Sequence, residues 1–171
     1  MIGPGEVWRL CLDLNVWYAA YRADSLGHEG TAAQTLVRVA RLGHCALGPT
    51  QIVISWGMLD RLRTALEENL RPAPAELDAQ IDNIVMFARP GAAGHAPFIL
   101  LGGTGLMPLR DAEDAHVLDT AVAGDAHVLA TFNFKDFVSY RTRIVEPGRI
   151  AVHQVRDGPS SSPTRSSSPA G

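Results

Sequence analysis

The sequence predicts a three-layer α/β fold, with a central, mostly parallel sheet and helices on both faces, from three observations. Short apolar runs read as strands buried on both sides, stretches of helical period lie between them, and Gly, Pro and capping residues stand at the junctions.

Residues 10–14, Leu-Cys-Leu-Asp-Leu, predict a first strand ending near Asp13. A helix is expected over 16–22 with Asn15 as its cap. A second is expected over 31–42, where Leu36, Val37 and Ala40 have helical spacing and Gly43 is the stop. Gln51 to Ser55 reads as the second strand. Ser55 then caps a helix striped by Leu59, Leu62, Leu66 and Leu70, and Pro72 and Pro74 close it. An amphipathic helix over 75–88 turns Leu77, Ile81, Ile84 and Val85 inward and ends at Pro90 and Gly91. Between Arg89 and Arg110, Gly and Pro surround one apolar island, Phe98 to Leu101, read as a short strand. The clearest unit follows: a helix over 111–123, Gly124 as its stop, and a strand over 127–131. A last strand is expected over 149–155, after the turn at Pro147 and Gly148.

The expected organisation is one domain over 1–156. Residues 157–171 are expected to be a disordered Ser/Pro-rich tail, too poor in apolar surface to order itself. A chain of 171 residues with a hydrophobic fraction of 46% can bury a core without disulfides or structural metal. No apolar run approaches the roughly 20 residues that span a bilayer, so no membrane association is expected. Glu6, Arg9 and Asp13 break any signal-peptide pattern at the N-terminus, which points to a cytoplasmic location. Cys11 and Cys45 both fall in apolar surroundings that read as buried strands, where reduced thiols fill core volume. A net charge of -3 argues against holding nucleic acid by bulk electrostatics. It does not argue against a nuclease whose carboxylates gather around a cation.

In open α/β sheets, ligands bind beyond the carboxyl ends of the strands. Asp13 stands at that edge. A carboxylate placed directly after Leu10, Cys11 and Leu12 is costly to bury unless it is paired or metal-bound, and helix capping is the plain alternative. Asp60, early in the helix after the second strand, either reaches the same edge or simply complements the helix dipole. Asp111, Glu113 and Asp114 crowd a later helix N-terminus. Asp111 suits the N-cap, while Asp114 either completes a capping-box-like pair or aims into the crevice. After Thr131, the polar Asn133 and Asp136 alternate with phenylalanines expected to pack rather than to stack on bases. His28, His44, His95, His116, His127 and His153 have no recognisable ligand spacing.

Taken in order, Leu12-Asp13-Leu14-Asn15-Val16, the interval Ser55 to Asp60, Asp111-Ala112-Glu113-Asp114 and Thr131-Phe132-Asn133-Phe134-Lys135-Asp136-Phe137 resemble the PIN-domain ribonucleases. That family includes the VapC-type toxins of bacterial toxin–antitoxin pairs. The resemblance covers roughly Leu10 to Val155; each motif is short, and the specificity lies in their order. It implies catalytic roles for Asp13, Asp60, Asp114 and Asp136, and metal ligation by Asp13, Asp60, Asp114 and Asn133. Ser55, Thr131 and Asn15 would position the substrate or a ligand carboxylate. The implied chemistry is hydrolysis of RNA phosphodiesters with Mg²⁺ or Mn²⁺, hard cations suited to carboxylate oxygens. The implied partners are RNA, a protein antitoxin and a second copy in a homodimer. Two positions depart from the pattern: the family usually has Glu where Asp60 stands and often Asp where Asn133 stands.

Two other readings compete. A haloacid-dehalogenase-like phosphatase would use Asp13 as nucleophile, although that pattern wants a second Asp where Asn15 stands. A PIN-like module that binds RNA or protein with little turnover would accommodate the departures at Asp60 and Asn133.

Overall fold

The computed structural model describes residues 7–88, 99–100, 112–133 and 151–154. Its elements are β1 (Trp8–Leu12), α1 (Leu14–Ser25), α2 (Ala32–Leu42), β2 (His44–Cys45), β3 (Gly48–Ile52), β4 (Ile54–Ser55), α3 (Trp56–Leu70), α4 (Pro74–Ala88), β5 (Ile99–Leu100), α5 (Ala112–Ala123), β6 (Val128–Thr131) and β7 (Ala151–Gln154). The main sheet has the order β2-β3-β1-β6-β7, and β4 and β5 form a separate pair. All pairings are parallel except β2 with β3. This is the expected α/β class with a mostly parallel sheet.

Successive side chains on a strand point to opposite faces, so consecutive buried residues mean that both faces are covered. Leu10, Cys11 and Leu12 on β1, and Leu129, Ala130 and Thr131 on β6, are all buried. Each run lies at the carboxyl end of its strand. The cover comes from Val16 and Trp17 of α1, Leu59, Leu62 and Leu66 of α3, Ile84 of α4 and Leu118 of α5, all within one core. Among the described residues, no helix is long and apolar enough to cross a membrane.

Tertiary pairing moved several boundaries. β1 starts at Trp8 rather than Leu10 because Trp8 and Arg9 register against Thr50 and Gln51 of β3, and it stops at Leu12. Helix α1 starts at Leu14 rather than Val16. The Asp13 carbonyl accepts from Val16 N at 2.9 Å, so Asp13 takes the N-cap place expected for Asn15. The single strand expected over 51–55 is two, broken at Val53, whose amide still bonds the Leu10 carbonyl at 2.9 Å. Beyond that bond the chain leaves the main sheet, and Ile54 and Ser55 pair with Ile99 and Leu100.

The hairpin from β2 to β3 was not foreseen. It leaves Cys45 half-buried on the edge strand, whereas Cys11 is fully buried as expected. Arg71, in the left-handed region at φ 48°, ends α3 by donating to the Leu66 carbonyl. Pro74, expected to close that helix, instead opens α4, where its missing N–H and fixed φ are harmless. Helix α2 has its expected limits: Thr31 and Gln34 form a capping box and Gly43 adopts the left-handed conformation at φ 64°. Ser55 caps α3 as expected, accepting from Met58 N at 3.2 Å. The expected cap Asp111 and the tail over 157–171 lie outside the described residues.

Candidate active site

Asp13 sits where β1 turns into α1, at the carboxyl edge of the sheet, and is only 3% exposed. Its amide donates to the Ala130 carbonyl at 3.0 Å, which ties the junction to β6. Its side chain does not cap α1. Instead the Thr131 hydroxyl donates to Asp13 Oδ2 at 2.6 Å, across the boundary between β1 and β6. Thr131 Oγ1 in turn accepts from the Asn133 amide at 2.8 Å, and Asn15 Nδ2 lies 3.5 Å away. Asn15 Oδ1 accepts from Phe132 N at 3.4 Å. Asn15 therefore fastens the loop after β6 to the first turn of α1.

Burial pushes the Asp13 carboxyl above the ordinary carboxylate range. The Thr131 hydroxyl, the Leu14 and Asn15 amides and the Asn15 side chain offset that only in part. The pocket thus holds a carboxyl in place while making its ionised form costly. A cation at this edge would lower that cost.

The other expected site residues fall into two groups. Asp60 is exposed on α3, directly after buried Leu59, and Asn133 is exposed just beyond β6. Asp114 belongs to the first turn of α5, but its side chain and the whole of Asp136 lie outside the described residues. Among the described residues, no three His, Cys, Asp or Glu side chains converge as a metal-holding group.

Ser55 and Thr131 are both fully buried, yet they do different work. Ser55 Oγ accepts from Met58 N and from Thr120 Oγ1 at 3.0 Å, and lies 3.4 Å from His116 Nε2. Its hydroxyl is taken up in a joint between α3 and α5. Gly57 completes that joint: a Cβ built on it would stand 2.4 Å from His116 Nε2 and 3.3 Å from an Arg61 guanidinium nitrogen. Arg61 donates to the Gly57 carbonyl at 3.2 Å. Burial, and then the Arg61 charge, hold the His116 imidazole below its usual range, while Asp119 opposes them.

Neither the His116 joint nor buried Asp119 was singled out from sequence. A usable signal was present, since Asp119 is a charge set among the apolar residues Val117, Leu118 and Ala121. His116 carried no such signal, because its partners Ser55 and Gly57 are about sixty positions away in the chain. Two shallow grooves beside the turn between α1 and α2 involve residues such as Tyr18, Asp24, His28 and Arg38, and neither includes Asp13.

The family model described as "PIN domain" matches residues 9–135, most of the chain. No curated protein matches.

Proposed function

The chain belongs to the PIN-domain family, whose members are generally nucleases, and from that premise we propose that it is a Mg²⁺- or Mn²⁺-dependent endoribonuclease. The observation that carries the reading is the Asp13 carboxyl, buried at the strand-exit edge and held by Thr131, with its ionised form raised in energy by burial. The Leu14 and Asn15 amides at the start of α1 also favour the carboxylate, yet burial outweighs them together with the Thr131 hydroxyl.

The proposed donor set, Asp13, Asp60 and Asp114 with Asn133 as a neutral oxygen donor, contains only oxygen and so fits a hard cation. When bound, such an ion supplies an activated water and offsets charge on the phosphate. The protein's part is positioning. Thr131 holds Oδ2 of Asp13, and Asn15 anchors the loop that carries Asn133. Asp136 would complete the acidic edge.

The order of the motifs supports two finer proposals: that the protein is the toxin of a toxin–antitoxin pair, restrained by a protein antitoxin, and that it acts as a cytoplasmic homodimer. Light scattering of the purified chain tests the dimer. The phosphatase alternative loses ground because Asn15, where a second acid is needed, is engaged with Phe132.

A second reading, an RNA- or protein-binding module with little turnover, is favoured by one observation. Asp60 is short for its role and exposed, and the described residues contain no group of three converging ligands. Incubating a panel of structured RNAs with Mn²⁺ and either the natural protein or Asp13→Asn separates the two. The nuclease reading expects metal-dependent cutting that the variant lacks. Binding without cutting by the natural protein selects the module, and equal cutting by both proteins removes Asp13 from the chemistry.

A further inference from the structure

We propose that Trp56 is a stacking platform for one base of the RNA, beside the metal ligand proposed at Asp60. The inference rests on the nuclease reading and specifies a residue that would hold the substrate by a base rather than by its phosphates.

Trp56 stands one residue past the carboxyl end of β4, in the first turn of α3. It is 39% exposed, while the residues around it in the chain are closed in. Ser55 and Met58 are fully buried, and Ser55 Oγ accepts from Met58 N to cap the helix. Gly57 packs against the His116 ring. The backbone that carries the indole is therefore fixed, while the ring itself meets solvent. An aromatic side chain on a fixed backbone has two torsions left to order when a base covers it, so the contact costs little entropy.

The fold does not account for tryptophan at this place. Ser55 already supplies the cap, and Met58, Leu59, Leu62 and Leu66 supply the buried stripe of α3.

The surroundings favour a base over a protein partner. Residues four apart on a helix are neighbours, with Cβ atoms about 5–6 Å apart, so exposed Asp60 adjoins Trp56 one turn along and Arg63 follows on the next turn. Among the described residues, the other large apolar side chains with high exposure are Leu26, Leu42, Leu47 and Met86, and none of them is on α3. Along its own helix face the indole is flanked by charge, not by further apolar surface. Protein interfaces are built round a core depleted of charged residues, whereas stacking on a nucleic acid needs a single π-face with charged groups beside it. With Asp60 serving the cation, the stacked base belongs to a nucleotide close to the phosphate that is cut. Such stacking tolerates any sequence, because every base has a π-face.

The test uses full-length chain carrying Asp13→Asn, which allows binding without cleavage, and two fluorescein-labelled probes followed by anisotropy across a salt series. One is a single-stranded oligoribonucleotide; the other is an abasic strand of the same length, which keeps the phosphates. Adding Trp56→Ala should weaken binding of the oligoribonucleotide about tenfold, with the slope of log affinity against log salt unchanged and the abasic strand hardly affected. Trp56→Phe should recover most of the loss. In the natural background, Trp56→Ala should raise KM for Mn²⁺-dependent cleavage by more than it lowers kcat. Light scattering of each variant should show an unchanged assembly state. Equal affinity of the parent and Trp56→Ala for the oligoribonucleotide, or equal losses on both probes, overturns the proposal. A change of assembly state that accounts for the loss makes Trp56 a contact between copies and overturns it too. In either case Mn²⁺-dependent cleavage by the natural protein leaves the nuclease reading standing. Failure of the parent to bind RNA, with no cleavage by the natural protein, overturns both.

Discussion

Two buried polar pockets face each other in kind. Around Asp13, a carboxyl at the junction of β1 and α1 receives the Thr131 hydroxyl but remains hard to ionise. Around Ser55, a neutral hydroxyl between α3 and α5 has three hydrogen-bonding neighbours, Met58 N, Thr120 Oγ1 and His116 Nε2. A saturated neutral pocket behaves like packing and holds two helices together. A pocket that makes a charge costly without fully compensating it stores free energy that a bound cation can release, which is how functional sites differ from structural ones.

The contrast can be broken most sharply at Asp13. Asp13→Asn should reduce metal-dependent cleavage by at least about 100-fold, since even residues that only orient metal ligands cost up to about that much. Single-turnover cleavage of a sensitive RNA measures it, and full activity in the variant would make the Asp13 pocket as structural as the Ser55 one.

Gly57→Ala tests the other pocket. The added Cβ meets the His116 ring at 2.4 Å, and the expected loss is about 1–3 kcal/mol in urea unfolding. The double variant Gly57→Ala/His116→Ala should be more stable than the sum of the single effects, by at least about 0.5 kcal/mol. Strict additivity would mean that the contact is not what makes alanine unfavourable there.

Ser55→Ala removes the α3 cap and leaves the buried Met58 amide without its side-chain acceptor, while the Thr120 hydroxyl keeps the His116 carbonyl, for an expected cost of about 1 kcal/mol. Mn²⁺ affinity, followed by electron paramagnetic resonance of the free ion, should hardly change. A large fall in affinity would move Ser55 into the metal site and erase the distinction between the pockets.

The gentlest test is a pH slope. Burial raises the Asp13 carboxyl, so the native state binds its proton more tightly than the unfolded chain does. The stability this confers is fully present below the ordinary carboxylate range, and is lost as pH rises through the native value. Asn at this position has no proton to lose. The Tm of Asp13→Asn relative to the natural protein should therefore increase as pH goes from about 4 to neutrality without divalent metal. Addition of Mn²⁺ should narrow the gap by stabilising only the natural protein. A gap independent of pH would mean that Asp13 is no harder to ionise in the native state than in the unfolded chain.

How much was legible in advance differs from element to element. The capping box at Thr31 and Gln34, the Gly43 stop and the Ser55 cap were readable because cap chemistry acts over three or four residues. Asp13 was readable too, as a lone charge closing an apolar run. The break at Val53 was not, since nothing in Gln51 to Ser55 shows that the main sheet ends after Ile52 and that Ile99 and Leu100 wait beyond it. Pro74 could equally end one helix or begin the next, and only the left-handed Arg71 before it decides the matter.

From sequence alone come the α/β class, the alternation of the main strands and helices apart from the β2–β3 hairpin and the break at Val53, and a family resemblance that the match over residues 9–135 bears out at the level of the PIN domain. Local periodicity, cap chemistry and motif order are written along the chain, and they need no distant partner. Tertiary structure decided what each polar residue does. It set Thr131 against Asp13 and His116 over Gly57, closing separations of 118 and about sixty positions. Burial and hydrogen-bond saturation are properties of such encounters, and they are what distinguish Asp13 from Ser55.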